Sequence, residues 1–468
     1  MDNHKGKRLI KNTLLFSVGN AGSKLLMLII VPLYTYYVSV KQMGQYDMAN
    51  TYVSLVAPLA CLAIYESVYR WLLDNTNNSR KVIFNGLILT IGAVLLFDVL
   101  ALGILHWLDY PFTLEFILLV DSMCLYSFAQ FTTRGLRHNR LYAVQGILYS
   151  VVLIIANLVL VIWMRWEARG LLWSMIAANF STAMLLFGSQ RLYVLHIRQK
   201  LLDIALIKDF VRYSLPIVPN NIAWWLVNAS NRLIINWKLG DAANGIFAIS
   251  MKFPSIVTML STFFYQAWQE QAISEYNSKE RDKYYSKVFN NYAKILLSGV
   301  LALLPATKAV ILIMEESYAD ASRYVGFLYL AAVFNAFAAF YGTGYLSTKK
   351  TSGAFSTTAY GAIVNVICSF VLIPYGGLYA AAIGNMLGYL VIWISRIIQT
   401  KKYFNIRVNW NVFLLLVMLN VGTIIAIQFV NLWGIVLVEC IVCLIAIALN
   451  REWIGRLIGT LLRNRQPK

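Results

Sequence analysis

The sequence predicts an all-α polytopic membrane protein of about fourteen transmembrane helices, built as two six-helix lobes in parallel pseudo-repeat plus two C-terminal helices. Three observations predict it. Apolar windows of about twenty residues, long enough to cross a hydrocarbon core, recur along the whole chain. Lys and Arg gather in alternate loops. A set of matched residues recurs at a separation of about 200–208 positions.

The composition excludes a soluble fold. Hydrophobic residues fill 59% of the 468 positions and charged residues 13%, with a mean hydropathy of +0.63; a soluble domain carries about twice that share of charge. A net charge of +19 would suit nucleic acid, yet the cations are spaced between apolar runs, with no basic domain and no groove-reading motif. The charge therefore reports membrane topology, and no nucleic-acid partner is expected. The five cysteines lie within apolar runs and the four histidines are scattered, so neither a disulfide framework, a metal cage nor a cofactor is indicated.

The apolar windows fall at roughly 12–38, 46–69, 82–107, 112–133, 142–164, 170–190, 211–238, 243–268, 288–312, 322–346, 354–374, 377–395, 410–430 and 432–450. The first follows Lys5, Lys7, Arg8 and Lys11, exceeds a signal-peptide core and lacks a small-residue cleavage site, so it stays as a span. Only the turn Asn431–Gly434 separates the last two, where one long re-entrant segment is the alternative. With the N-terminus inside, the inner loops hold Arg134, Arg137, Arg140, Lys279, Arg281, Lys283, Arg396, Lys401 and Lys402 among others. Of the 40 Lys and Arg, roughly 31 fall inside, 6 outside and 3 within spans, which puts both termini on the cytoplasmic side.

The repeat sets the domain organisation. Gly44-Gln-Tyr recurs as Gly245-Ile-Phe, Glu66 as Glu270, Asn157 as Asn365, and Gly170 with Asn179 as Gly376 with Asn385. Six spans per copy mean that both copies enter from the same side, giving an N-lobe over 1–200, a C-lobe over 201–403, and two further helices with a basic tail over 404–468. Transporters built this way bind substrate between their halves, and Gly/Pro breaks in matched spans point to the site. Pro32 interrupts the first span, Pro216 and Pro219 the seventh, Pro58 the second and Pro254 the eighth, so these four are expected to line a cavity.

Charges inside those spans set its chemistry. Lys24, Arg232 and Lys252 each cost about 2.5–3.5 kcal/mol at the bilayer centre, so each needs a partner, a cavity or a snorkelling route. Arg232 and Lys252 lie near enough to the outer surface to snorkel; Lys24 does not. Cations along a wet cleft select an anionic passenger, and a guanidinium fork suits phosphate or diphosphate. Asn20, Asn221, Asn228 and Asn231 add hydrogen-bonding groups to the first and seventh spans, either as a sugar-lined path or as interhelical glue. Trp224, Trp225, Tyr265 and Trp268 stack on sugars in one reading and pack the core or the interface in the other.

Asp98 and Asp121 fall at similar depth in one hairpin, as a proton or sodium site or as static partners of Lys24. Asp47, at the outer start of the second span, reads as a helix N-terminal charge, with a gate as the lesser reading.

Arg8 to Thr13, Gly44-x-Tyr46, and Arg134-Gly135-Leu136 followed by Tyr142, Gly146 and Asn157 resemble the polysaccharide flippases of the MOP superfamily, the Wzx-type oligosaccharide repeat-unit transporters. The resemblance covers nearly the whole chain. It implies two lobes in a V around a cationic cavity, in a bacterial cytoplasmic membrane. Alternating access would carry an undecaprenyl-diphosphate-linked oligosaccharide to the outer leaflet, beside the polymerase and glycosyltransferases of the same pathway. The family's basic cavity residues would fall here on Lys24, Arg232 and Lys252. The second span departs from the family by having no central cation. Two other functions are open: a MATE-like cation-coupled drug exporter, which would favour cavity carboxylates, and a membrane enzyme such as a repeat-unit polymerase, which would need acids, bases or a metal in a sizeable outer loop.

Overall fold

The computed structural model describes residues 30–73, 78–190, 202–348, 352–430 and 432–463. Every regular element among them is helical. Residues 30–35 are the described end of the first span, with Pro32 inside the helix and its carbonyl accepting from Thr35 Oγ1 at 2.7 Å. Lys24 and Asn20 lie outside the described residues.

The helices that follow are α1 (Val40–Ala60), α2 (Ile64–Leu73), α3 (Ser79–Trp107), α4 (Thr113–Gly135), α5 (Asn139–Asn157, continued by a π-helical turn Leu158–Trp163), α6 (Glu167–Ser189) and α7 (Ile204–Ser214). Then come α8 (Ile217–Lys252), α9 (Pro254–Ser274), α10 (Arg281–Leu312), α11 (Ala321–Ser347), α12 (Ser352–Thr400), α13 (Trp410–Phe429) and α14 (Leu432–Arg463). Nine of the described helices are long and apolar enough to cross a membrane singly, and the bent pairs α1/α2 and α8 (from Ala229)/α9 pass the same test when each is taken together. Helix α8 is interrupted at Gly240 (φ 80°) and α12 at Gly377 (φ 53°). Both breaks use a left-handed conformation that costs any residue with a Cβ, so glycine sits at each turn between predicted spans. The last apolar region is two helices, because the chain leaves the helix after Phe429 and restarts at Leu432.

The chain divides into two compact units, residues 1–236 and 237–468. In the first, α1 presents Ala49, Val53, Ala57 and Ala60 along one face, and this small-residue seam lets Phe116, Leu119, Val120 and Cys124 of α4 and Leu172 and Ile176 of α6 pack close. Lipid offers no hydrophobic gain between helices, so such close van der Waals fit is what holds them. A second cluster joins Ile64, Val68 and Leu72 of α2 to Val82 and Ile83 of α3, Phe128 of α4 and Phe210 of α7.

α7 is docked through its start. Asp203 caps it, accepting from the Ala205 and Leu206 N–H groups at 3.0 and 3.1 Å, and pairs with Lys81 Nζ at 2.8 Å. These donors hold the part-buried Asp203 carboxyl below the usual carboxylate range, the Lys81 bond contributing most.

In the second unit α11 is the most enclosed span. Its Phe337, Phe340 and Tyr341 meet Phe289 of α10, Trp268 of α9 stacks on Phe340 at 4.2 Å, and Trp393 of α12 stacks on Phe334. Trp268 is thus a core side chain rather than a sugar platform. The two limbs of α12 touch backbone to backbone: a Cβ on Gly361 would sit 2.5 Å from the Gly388 carbonyl oxygen.

Candidate functional site

The second span breaks where proline removes a donor. Pro58 lies inside the last turn of α1, and Leu62 and Ala63 take positive φ (50° and 49°) before α2 departs at 57° to α1. The Ala57 carbonyl gathers the Cys61 N–H and thiol and the Cys124 thiol, at 3.2, 3.2 and 3.3 Å. The matched eighth span also breaks, α9 bending 42° from α8 at Phe253 before Pro254. In the seventh, Pro216 stands between α7 and α8 and Pro219 in the first turn of α8.

The part of α8 that belongs to the first unit lies along α1. Trp225 Nε1 donates to the Thr51 carbonyl at 2.8 Å and to Ser54 Oγ at 3.1 Å. Seven residues further along α8, Arg232 Nε meets Asp47 Oδ2 at 2.9 Å. Moving forward on α8 moves backward on α1, so the two helices run antiparallel and are tied at two levels.

Asp47 is buried, its side chain 8% exposed, while that of Arg232 is 31% exposed. The Nε–H of Arg232 is not aligned as a hydrogen bond, so the contact is an ion pair by proximity, and the guanidinium Nη groups meet no acceptor among the described residues. The sequence assigns Asp47 to the helix dipole, but it stands two turns inside α1, past the first turn where that field acts. It pairs instead with Arg232, a contact the sequence did not foresee.

Asn231 is buried beside Arg232, and Asn221 is part-buried nearer the start of α8. The side chains of Asn228 and Trp224 lie outside the described residues. Lys252 is part-buried at the end of α8, in the second unit. The fold thus joins Arg232 to Asp47.

It also brings the carboxyls of Asp98 of α3 and Asp121 of α4 close enough to interact. Among the described residues neither forms a salt bridge, and an oxygen of each is buried without a donor. Two like charges so close repel one another unless something compensates them. Of the inner-loop cations, Arg134 lies over the rings of Tyr69, Phe131 and Tyr142 at 5.0–5.6 Å. Arg396, counted from the sequence as an inner-loop charge, is instead inside α12 and part-buried.

Helices broken at matched prolines and charges paired inside spans define a multi-pass membrane protein with a polar interior. A family model described as "Polysaccharide biosynthesis protein" matches residues 9–268, more than half of the chain, and the chain belongs to that family. Among solved structures it is similar to "Lipid II flippase MurJ, inward closed conformation", with TM-score 0.65 and 12% identity over 94% of this chain and 100% of that one. It is also similar to "Inward-facing conformation of a multidrug resistance MATE family transporter of the MOP superfamily", with TM-score 0.59 and 12% identity over 84% and 94%. The outward-facing multidrug resistance MATE structure gives TM-score 0.54 and 12% identity over 88% and 96%. At such identities the likeness is one of fold, that of the MOP transporters. A search of curated protein sequences returns no match.

Proposed function

We propose that the chain is a flippase that carries a polyprenyl-diphosphate-linked oligosaccharide repeat unit from the cytoplasmic to the outer leaflet of a bacterial cytoplasmic membrane, for capsule, exopolysaccharide or O-antigen assembly. Family membership and the MOP fold support the class. The observation that carries the cargo is Arg232: an in-span guanidinium held by a buried carboxylate, with its Nη donors still unspent among the described residues. Asp47 fixes the fork, and the diphosphate takes the remaining donors as charge-assisted bonds. Lys24 and Lys252 add positive charge, Asn20, Asn221, Asn228 and Asn231 hydrogen-bond the first sugars, and the prenyl tail stays in lipid. Pro32, Pro216 and Pro219 supply the bends on which access alternates. Asp98 and Asp121 couple turnover to a proton or sodium ion.

The test is complementation. In a strain lacking this gene, Lys24→Ala and Arg232→Ala should each fail to restore surface polysaccharide at normal protein level. Full restoration by both removes the diphosphate cradle.

A further inference from the structure

Arg396 sits one turn before the end of α12, on the side predicted to face the cytoplasm, and three neutral acceptors hold it. Nη1–H donates to the Ala338 carbonyl of α11 at 2.7 Å, Nε–H to Thr357 Oγ1 at 3.2 Å and Nη2–H to Thr358 Oγ1 at 3.2 Å. Ala338 is nine residues before Ser347, the last of α11, so the charge stands about 13 Å inside that helix end.

The place is cleared for it: a Cβ on Gly342 would lie 2.7 Å from Nη1. No carboxylate among the described residues meets the guanidinium. The phenols of Tyr345 and Tyr265 are near enough to feel its charge. Tyr345 gives its hydroxyl to Gln399 Oε1 at 2.9 Å, whereas the part-buried Tyr265 of α9 makes no hydrogen bond among the described residues.

A guanidinium has five N–H donors, and three are engaged. Tying α11 to α12 needs only neutral donors. Placing a full charge there without a counter-ion costs several kcal/mol by desolvation alone. An anion would supply both the missing charge and acceptors for the two remaining donors, and the Tyr265 hydroxyl, whose phenol feels the Arg396 charge, would offer it a further donor.

We propose that Arg396 and Tyr265 form a second anion site, which binds the phosphate oxygens of a prenyl-diphosphate headgroup within the cytoplasmic half of the second unit. The inference rests on the flippase reading and gives it an entry site separate from Arg232.

The test uses the purified full chain in nanodiscs of zwitterionic lipid, with farnesyl diphosphate, inorganic pyrophosphate and phosphatidylglycerol as separate titrants. Arg396→Gln should weaken farnesyl diphosphate binding roughly ten- to a hundredfold, the loss of charge-assisted hydrogen bonds. Arg396→Lys should fall between, since it keeps charge and loses the fork. Tyr265→Phe, which leaves all three tethers intact, should weaken it measurably.

A parallel loss with pyrophosphate supports recognition of the phosphates alone, and a loss confined to farnesyl diphosphate supports recognition of the lipid-borne form. Phosphatidylglycerol competing as well as farnesyl diphosphate overturns the assignment to a diphosphate cargo. Unchanged affinity in both Arg396→Lys and Tyr265→Phe overturns the site, even should Arg396→Gln fail to fold. Wild-type protein that binds neither diphosphate overturns the flippase reading itself.

Discussion

Arg232 of α8 stands 2.9 Å from Asp47 of α1, and the acid is the more deeply buried of the two. That asymmetry separates two roles which a single substitution would confuse. Removing Arg232 leaves a buried carboxylate without its counter-ion, at a cost of about 3 kcal/mol. The double variant Asp47→Asn/Arg232→Gln should recover most of that stability in detergent unfolding assays yet still fail to restore surface polysaccharide. Restored export by the double variant would show that the pair serves the fold alone.

The interacting carboxyls of α3 and α4 predict a different phenotype. Asp98→Asn or Asp121→Asn should leave the folded protein intact, because an amide can donate to the remaining carboxyl. In proteoliposomes, transport by either variant should lose its response to an imposed pH or sodium gradient. A response equal to wild type in both variants counts against coupling at this pair.

The glycine between the limbs of α12 has a conformational purpose only. With φ at 53° and no atom within 4 Å of a Cβ position, Gly377→Ala should cost about 1–2 kcal/mol through backbone strain rather than a clash. Gly377→Asn should cost as much, because ψ at −137° lies outside the αL well that asparagine tolerates, and thermal unfolding in one detergent would compare the three.

The cap of α7 should respond to pH. The folded-state pKa of Asp203 is depressed, so its contribution is complete above the ordinary carboxylate value of about 3.9 and is lost as pH falls through the folded value. Hydrogen exchange at the Ala205 and Leu206 amides should therefore accelerate in acid. Asp203→Asn should remove that acid dependence, and an unchanged pH profile in the variant would exclude the cap as its cause.

Much of the fold was legible because a bilayer reads sequence coarsely: run length gives spans, and Pro and Gly mark their breaks. Leu432 restarting a helix after Phe429 follows from that rule, as does the break at Gly377. The placing of Asp98 near Asp121 was also readable, since equal distances from a hairpin turn put two residues at one depth. Arg232 meeting Asp47 was not, because the partners are 185 positions apart and no periodicity links α8 to α1. Arg396 was missed for a related reason: a cation near a span end looks like a loop charge until the neighbouring helix is seen to extend beyond it. Trp225 gave no signal either, since an indole that bonds a backbone carbonyl has the same sequence as one that sits at a membrane interface.

The break at Cys61–Ala63 makes the second span two levers rather than one rod. Its upper arm is fastened to α8 through Trp225 and Arg232, and its lower arm is bedded in the Phe128 and Phe210 cluster. Displacement of the upper arm would therefore concentrate at that three-residue knuckle, leaving the lower arm as a fulcrum. A short, rigid crosslink across the knuckle would fix the two arms at their 57° angle and turn the levers back into one rod.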